Sequence, residues 1–267
     1  NSQPNSNQLE NNALFAIGPV DGRYARQTET LTAYFSEYAL IRYRVRVEVE
    51  YFIALCEVLP ELSSVSPKLF PLLRNIWEQF TEADAVHIKA TEKVTNHDVK
   101  AVEYFLKEKF EELGLNDFRE FVHFGLTSQD INNTAIPLLL KEFIQQHYLP
   151  LLNELIKMIE DRAAQWKEIP MLARTHGQPA SPTRLGKEME VFTTRVSEQI
   201  KLLTQIPYAA KFGGATGNFN AHLVAYPEID WLKFSNEFVQ ENLGLYRSHP
   251  TTQIEHYDHL AALFDGI

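Results

Sequence analysis

The sequence predicts an all-α protein in which a small N-terminal helical domain is followed by the long helices of a bundle. Two observations predict this class. Apolar residues recur every three or four positions over long stretches, as they do on one face of an α-helix. Glycine or proline marks the ends of these stretches, and the sequence shows no repeats and no strong series of alternating strands.

The first long helix is predicted from Leu31 to Leu59, and Pro60 ends it. Within it, residues 42–51 alternate between charged and apolar side chains, which alone indicates a half-buried strand. We predict a helix because the flanking residues keep the helical period. A helix also places opposite charges four residues apart, in two pairs worth about 0.3 kcal/mol each: Arg44–Glu48 and Arg46–Glu50.

A second helix is predicted at about residues 98–113, with Gly114 as its left-handed stop. A third begins at a polar cluster and covers about residues 127–167. We expect Pro137 and Pro150 to kink this third helix or to break it into pieces.

Three further helices complete the bundle. The fourth begins after Ser181-Pro182, a serine cap followed by proline at the first helical position, and continues to residue 207. The fifth covers about residues 228–243 and stops at Gly244. The sixth begins near Gln253 and is still continuing at the last residue.

These helices divide the chain into three parts. Residues 1–12 are rich in Asn, Gln and Ser, without a basic start or an apolar run, and read as a disordered tail or expression remnant. Residues 13–116 form the predicted N-terminal helical domain. Residues 117–267 form the first part of the central long-helix domain, which we expect to be incomplete.

Composition excludes several classes of function. The chain has 25 Lys and Arg against 35 Asp and Glu, a net charge of −10, which argues against binding to nucleic acids or anionic membranes. Its single cysteine, Cys56, cannot form an intrachain disulfide or a multi-thiolate metal site. No stretch approaches the roughly 18 apolar residues of a membrane helix. We therefore expect a cytoplasmic protein.

The informative polar residues lie just before predicted helices. They form three clusters, at Asn96-His97-Asp98, at Thr127-Ser128 and at residues 174–179. Helix N-termini carry unpaired N–H groups and bind anions, so the three clusters could converge on an anionic ligand. The simpler alternative is that Asp98 and Ser128 only cap their helices.

Three other features carry weaker signals. His176 stands in the third cluster beside Gly177, a position that suits proton exchange near neutral pH. Residues 213–217 are glycine-rich and suit a turn with close backbone approach, but they lack a phosphate-loop pattern. Arg23 and Tyr24 could grip a phosphate or only pin the N-terminal segment. No compact His or Cys pair supports a metal, and we expect no metal and no cofactor.

Six segments in this sequence resemble the adenylosuccinate lyases of the fumarase/aspartase superfamily, in family order and over almost the whole chain after residue 12. Thr-Ser-x-Asp and Thr-His-x-Gln-Pro are shared widely in that superfamily, whereas Asn-His-Asp-Val-Lys-Ala-Val-Glu-Tyr is specific to this lyase and its bacterial-type branch. The matching segments are residues 19–24, 95–107, 123–133, 174–183, 217–222 and 251–255.

The resemblance implies β-elimination of fumarate from adenylosuccinate and from the succinyl-carboxamide ribotide of purine synthesis. It implies a homotetramer whose active sites are shared between subunits. His176 is implied as the general acid. The implied substrate contacts are Arg23 and Tyr24 for the phosphate, Thr127 and Ser128 for a succinyl carboxylate, and Asn96, His97, Asp98 and Gln253 for other parts of the substrate.

The sequence also departs from the family in two places. The family's serine base lies on a loop reading approximately Ser-Ser-x-Met-Pro-x-Lys-x-Asn-Pro, and no such string occurs in these 267 residues. We therefore expect the base, and further arginines, beyond residue 267. The second departure is at His256 and Tyr257, where the family pattern has Pro-His, which leaves the start of the last helix in doubt.

Two other functions remain open. Another lyase of the superfamily, such as argininosuccinate lyase or fumarase, would keep the widely shared strings but should lack Asn-His-Asp-Val-Lys. A non-catalytic helical assembly module would use the bundle helices only to oligomerise. Under this second alternative, replacement of His176 should not change the function of the protein.

Overall fold

The computed structural model describes residues 15–267, which form two compact units, residues 15–124 and residues 125–267. The predicted tail at residues 1–12 lies outside the described residues. The predicted domain boundary at residues 116–117 falls within the first unit. None of the described helices is both long and apolar enough to span a membrane.

The first unit is helical, and its longest helix is buried along most of its length. Its α-helices are α1 (Ala25–Thr28), α2 (Thr32–Phe35), α3 (Glu37–Val58), α4 (Phe70–Glu78), α5 (Glu82–Thr95) and α6 (Asp98–Glu112). Short 3-10 turns lie at Glu29–Leu31, Pro60–Leu62, Pro67–Leu69 and Asn116–Phe121. The predicted helix over residues 98–113 is confirmed, and Gly114 ends it with φ +73°. The predicted single helix over residues 31–59 is confirmed only from residue 37, because Ser36 has an extended backbone that separates α2 from α3.

Helix α3 explains the alternation of charged and apolar residues in its sequence. The Ser36 hydroxyl accepts a hydrogen bond from the Ala39 N–H at 3.1 Å and starts the helix. Most of its apolar residues are buried. Arg44, Glu48 and Glu50 are buried too, and each forms an ion pair with a residue outside this helix. The charged residues of α3 thus do not form one solvated face. The stabilisation of about 0.3 kcal/mol per pair, which holds for exposed ion pairs four residues apart, therefore does not apply to them.

The second unit combines longer helices with a β-hairpin. Its α-helices are α7 (Ser128–Phe143), α8 (Leu149–Gln165), α9 (Leu185–Leu203), α10 (Asn220–Ala225), α11 (Trp231–Glu237) and α12 (Asp258–Gly266). Its strands are β1 (Pro170–Thr175), β2 (Gln178–Arg184), β3 (Ala209–Ala210) and β4 (Tyr246–Arg247). Strands β1 and β2 pair antiparallel, and β3 pairs with β4 in parallel. The all-α class is confirmed, with these short strands as additions.

The predicted third helix is divided as its prolines suggested, but at one place only. Pro137 lies inside α7 without breaking it. A π-helical turn at Ile144–Tyr148 lies between α7 and α8, and Pro150 lies in the first turn of α8.

Two predicted helix starts in the second unit are wrong. Ser181-Pro182 does not cap the fourth helix but belongs to β2, and α9 begins at Leu185. The sixth helix begins at Asp258, so Gln253 lies in the segment before it. The fifth helix agrees with its prediction, because α11 continues through a π-helical turn at Phe238–Asn242 and Gly244, with φ +64°, follows.

Candidate active site

The first group of predicted site residues lies in the first unit, where α5 ends and α6 begins. Asn96 is left-handed, with φ +54°, and turns the chain out of α5. His97 is the N-cap of α6, and its Nδ1 accepts a hydrogen bond from the Lys100 N–H at 3.1 Å. His97, and not Asp98, is therefore the N-cap, although the Asp98 carboxylate also accepts an N–H in the first turn of α6.

This cap fixes the position of the proton on neutral His97. An imidazole nitrogen that accepts a hydrogen bond carries no proton, so the ring proton of the neutral form is on Nε2. The side chain is 49% exposed. The imidazole is therefore partly open to solvent at the start of α6.

The carboxylate of Asp98 is held at both oxygens. Oδ1 accepts a hydrogen bond from the Val99 N–H at 2.8 Å, and Oδ2 accepts one from Nη2 of Arg44 at 2.7 Å. Burial favours a higher pKa for this carboxyl, but the Arg44 charge and the Val99 N–H outweigh burial and lower the pKa below its ordinary value of 3.8. Asp98 is therefore an oriented anion at neutral pH.

The turn at residues 19–24 carries the predicted phosphate contacts. The Thr28 hydroxyl donates hydrogen bonds to the carbonyls of Val20 and Tyr24, at 3.0 and 3.2 Å. Arg23 and Tyr24 are both exposed, and the guanidinium carbon of Arg23 lies 5.8 Å from the centre of the Tyr24 ring. Thr28 thus pins the turn, which leaves the Arg23 guanidinium available for a phosphate.

The second group lies in the second unit, at the start of α7. Thr127 is the N-cap and Ser128 the first helical residue. Oδ2 of Asp130 accepts a hydrogen bond from the Thr127 N–H at 2.8 Å. The Gln253 side-chain amide donates to the Thr127 hydroxyl at 3.4 Å. Two predicted substrate contacts that are distant in sequence are therefore neighbours in the fold.

A buried ion pair supports this helix start. Asp130 and Lys211 are both fully buried, and Nζ of Lys211 donates to Oδ1 of Asp130 at 2.7 Å. The same oxygen accepts hydrogen bonds from the N–H groups of Gly213 and Gly214, at 2.8 and 3.1 Å. Burial lowers the pKa of Lys211, and the negative charge of Asp130 opposes that decrease.

Sequence reasoning missed both residues of this ion pair. An acidic residue three positions after a threonine is a capping-box signal and points to Asp130. Lys211 has no comparable local signal. The glycine-rich segment was predicted to allow close backbone approach, and this is confirmed: a Cβ at Gly217, where φ is +77°, would lie 2.4 Å from the Thr251 carbonyl oxygen.

The segment that carries Gln253 is fixed by its own hydrogen bonds. The Glu255 N–H donates to Oδ1 of Asn133 at 2.9 Å, and Nδ2 of Asn133 donates to the Tyr257 hydroxyl at 2.8 Å. Nε2 of His256 donates to the Pro250 carbonyl at 2.8 Å. Both residues that depart from the family pattern thus form hydrogen bonds here, with α12 beginning immediately after Tyr257.

His176 lies in the tight turn between β1 and β2, with φ +50°, followed by Gly177 with φ +74°. The prediction that its cluster precedes a helix is wrong. Pro179 and Pro182 fall within β2, and a two-stranded hairpin accepts prolines because each strand has a free edge. His176 is exposed, and its side chain forms no hydrogen bond within residues 15–267.

The predicted site residues are thus only partly brought together. Asn96, His97 and Asp98 adjoin one another in the first unit, and Thr127, Ser128 and Gln253 do so in the second. Within the described part of the chain, no group of three or more His, Cys, Asp or Glu side chains is placed to hold a metal ion.

A protein-family model described as a lyase matches residues 22–267. The chain belongs to this lyase family. It is 54% identical to an adenylosuccinate lyase of Dictyostelium discoideum over 266 residues, which is 97% of this chain and 57% of that lyase. It is 46% identical to an adenylosuccinate lyase of Escherichia coli K12 over 262 residues, again 97% of this chain and 57% of that protein. The resemblance inferred from the motifs is confirmed.

Solved structures of lyases and related enzymes share the fold. A fumarate lyase from Mesorhizobium sp. BNC1 superposes with a TM-score of 0.68 at 18% identity, over 89% of this chain and 53% of that chain. A β-carboxy-cis,cis-muconate cycloisomerase from Acinetobacter calcoaceticus sp. ADP1 gives a TM-score of 0.65 at 20% identity, over 89% and 53% of the two chains. These matches support the fumarase/aspartase-like helical fold. The chain spans somewhat more than half the length of the curated relatives it matches.

Proposed function

We propose that the protein is an adenylosuccinate lyase, which releases fumarate from adenylosuccinate to give AMP and acts in the same way on the succinyl-carboxamide ribotide of purine synthesis. The observation that carries this proposal is the identity of 43–54% to adenylosuccinate lyases across almost the whole chain. Argininosuccinate lyase and fumarase are less favoured, because the curated relatives reported above are adenylosuccinate lyases.

The reaction requires a base, an acid and a site for several negative charges. A base removes a proton next to a succinyl carboxylate, and donors around that carboxylate stabilise the carbanion that forms. An acid then protonates the departing nitrogen. We assign the acid to His176, whose exposed turn leaves the imidazole accessible. We assign the base to none of residues 15–267, because the family's base is a serine on a loop whose sequence does not occur in these 267 residues.

The two helix starts supply the anion contacts in this proposal. The N–H groups at the start of α7, with Thr127 and Ser128, receive a succinyl carboxylate, and Gln253 adds a donor amide beside them. Arg23 and Tyr24 take the phosphate. His97 donates from Nε2, and Asn96 and Asp98 contact the nucleotide. Local positive potential at these places allows an anionic substrate to bind to a chain with a net charge of −10.

The proposal includes assembly into a homotetramer with shared active sites. The hairpin that carries His176 is exposed along most of its length, and an isolated two-stranded hairpin is only marginally stable in water. Exposed apolar side chains also line α8 and α9: Leu151, Met158, Phe192 and Leu202. Further copies of this chain would cover both surfaces. We place the enzyme in the cytoplasm.

The experiment that tests the function is a direct assay. The protein, expressed from its full coding sequence, is incubated with adenylosuccinate and, in parallel, with argininosuccinate, and fumarate is quantified by chromatography. We expect fumarate and AMP from the first substrate only. Release from argininosuccinate alone would identify a different lyase of the superfamily, and no release from either would favour the assembly module.

A further inference from the structure

Arg44 is a buried arginine in α3 that pairs with Asp98 of α6. Its side chain is 7% exposed, whereas that of its partner Asp98 is 41% exposed. The ion pair is therefore closed to solvent at the arginine and open at the carboxylate. The open end belongs to the segment that carries the proposed substrate contacts Asn96 and His97.

The pair restrains Asp98 more tightly than a surface ion pair would. Because Oδ1 is bonded to the Val99 N–H and Oδ2 to Arg44, rotation of the carboxylate breaks at least one hydrogen bond. Oδ1 also lies 3.7 Å from Nδ1 of His97, the nitrogen that caps α6. Arg44 thus acts on the position of the helix start and of the imidazole beside it.

Arg44 also compensates the negative charge of Asp98. The substrate of the proposed reaction carries a phosphate and carboxylates, and an uncompensated carboxylate at Asp98 would repel it. A buried arginine neutralises Asp98 from the side facing away from solvent and leaves the exposed side unobstructed. Arginine suits this place because its guanidinium stays charged when buried.

We propose that Arg44 is a positioning residue for substrate binding, which neutralises Asp98 and holds it in register with His97 at the start of α6. The inference rests on the proposed lyase function. Arg44 does not itself touch substrate in this scheme, and its proposed effect on substrate binding depends on Asp98. Its removal therefore weakens substrate binding and leaves the chemical step largely unchanged.

The test compares Arg44→Met with a control variant that breaks a different ion pair of α3. Glu50 of α3 forms a second partly buried pair with Arg74 of α4, Oε2 to Nη2 at 2.9 Å, and neither residue belongs to the proposed site. We expect R44M to raise KM for adenylosuccinate about tenfold with kcat within about twofold of wild type, the pattern of lost uniform binding. R44K should recover part of the loss, and R74M should keep the wild-type KM.

A double variant shows whether Arg44 acts through Asp98. In a D98N background the carboxylate is gone, so adding R44M should change KM by less than about twofold. Should R44M alone fail to fold, R44K replaces it in both backgrounds, because lysine keeps the positive charge but loses the guanidinium hydrogen bond to Asp98. An equal rise of KM in both backgrounds would overturn the inference, as would a wild-type KM in folded R44M.

Failure of the inference and failure of the proposed function give different results. Wild-type protein that releases fumarate from adenylosuccinate, together with an R44M variant of unchanged KM, rejects only the role of Arg44. Wild-type protein that releases none rejects the proposed function and this inference with it. All assays use the protein expressed from its full coding sequence, at one salt concentration, because exposed charge effects are screened by salt.

Discussion

The side-chain amide of Gln253 lies 3.4 Å from the hydroxyl of Thr127, although 126 positions separate the two residues. The contact places a donor amide directly at the start of α7, beside Thr127 and Ser128. The proposed carboxylate site in the second unit thus combines residues from two distant segments of the chain.

Gln253→Leu should raise KM for adenylosuccinate about tenfold, because the variant keeps the side-chain size but loses one hydrogen bond to an anion. Steady-state kinetics measure the effect. Gln205→Leu, at an exposed position after α9, serves as the control and should behave as wild type. An unchanged KM in Gln253→Leu would remove this residue from the proposed site.

His176→Gln should lower kcat for adenylosuccinate by at least about 100-fold, because glutamine cannot donate a proton to the departing nitrogen. Thermal unfolding should remain close to wild type, since the side chain forms no hydrogen bond within the described residues. His87→Gln is the control: His87 is exposed and pairs with Glu108. Near-normal turnover by His176→Gln would contradict its assignment as the acid.

Shared active sites predict complementation between inactive variants. His97→Ala and His176→Gln chains, mixed after mild dissociation and reassembled, should recover part of the activity if the two residues reach one site from different chains. Hybrid formation is checked by native mass spectrometry. Hybrids that form without any activity would place both residues of a site on the same chain.

The thiol of Cys56 should react slowly with alkylating reagents in the native protein. Burial, together with the nearby charge of Glu57, raises its pKa from the ordinary 9.0 to about 12. At pH 8 only about one thiol in ten thousand is then ionised, and the thiolate is the reactive form. Mass spectrometry after iodoacetamide treatment measures the modification at Cys56. Labelling as fast as in urea-unfolded protein would contradict the raised pKa.

The Asp98 carboxylate should make the stability of the protein depend on pH. Its native pKa lies below the ordinary value of 3.8, so its contribution is complete above about pH 5 and is lost as the pH falls through the native pKa. In urea denaturation, wild type should exceed D98N in unfolding free energy at pH 7 and at pH 5, and this excess should shrink below pH 4. D161N, which alters an exposed ion pair with Lys157, should show little effect. An excess that grows on acidification would contradict the lowered pKa.

Local patterns predicted much of the helical fold. Helix α3 could be recognised through its alternating charges because the residues on either side keep the helical period. Gly114 could be read as a stop because a left-handed residue ends α6 there. The hairpin was not foreseen, because Ser181-Pro182 is also a good helix start, and only pairing with β1 decides between the two.

Contacts between distant segments account for what the sequence could not show. The residues of the proposed site were found from the family motifs, but their supports were not. Arg44 was expected to pair along its own helix, and Lys211 carried no local signal at all. Burial and partner choice depend on the assembled unit, so spacing within one helix cannot reveal them.

Asp130 couples the local opening of two segments that are distant in the sequence. One carboxylate binds the first turn of α7 and, 83 and 84 positions later, two glycine N–H groups of the turn that follows β3. Neither segment can loosen without leaving a buried charge or buried N–H groups unpaired. Amide hydrogen exchange at Thr127, Gly213 and Gly214 should therefore proceed through one shared opening, and the helix start and the glycine turn behave as a single cooperative unit.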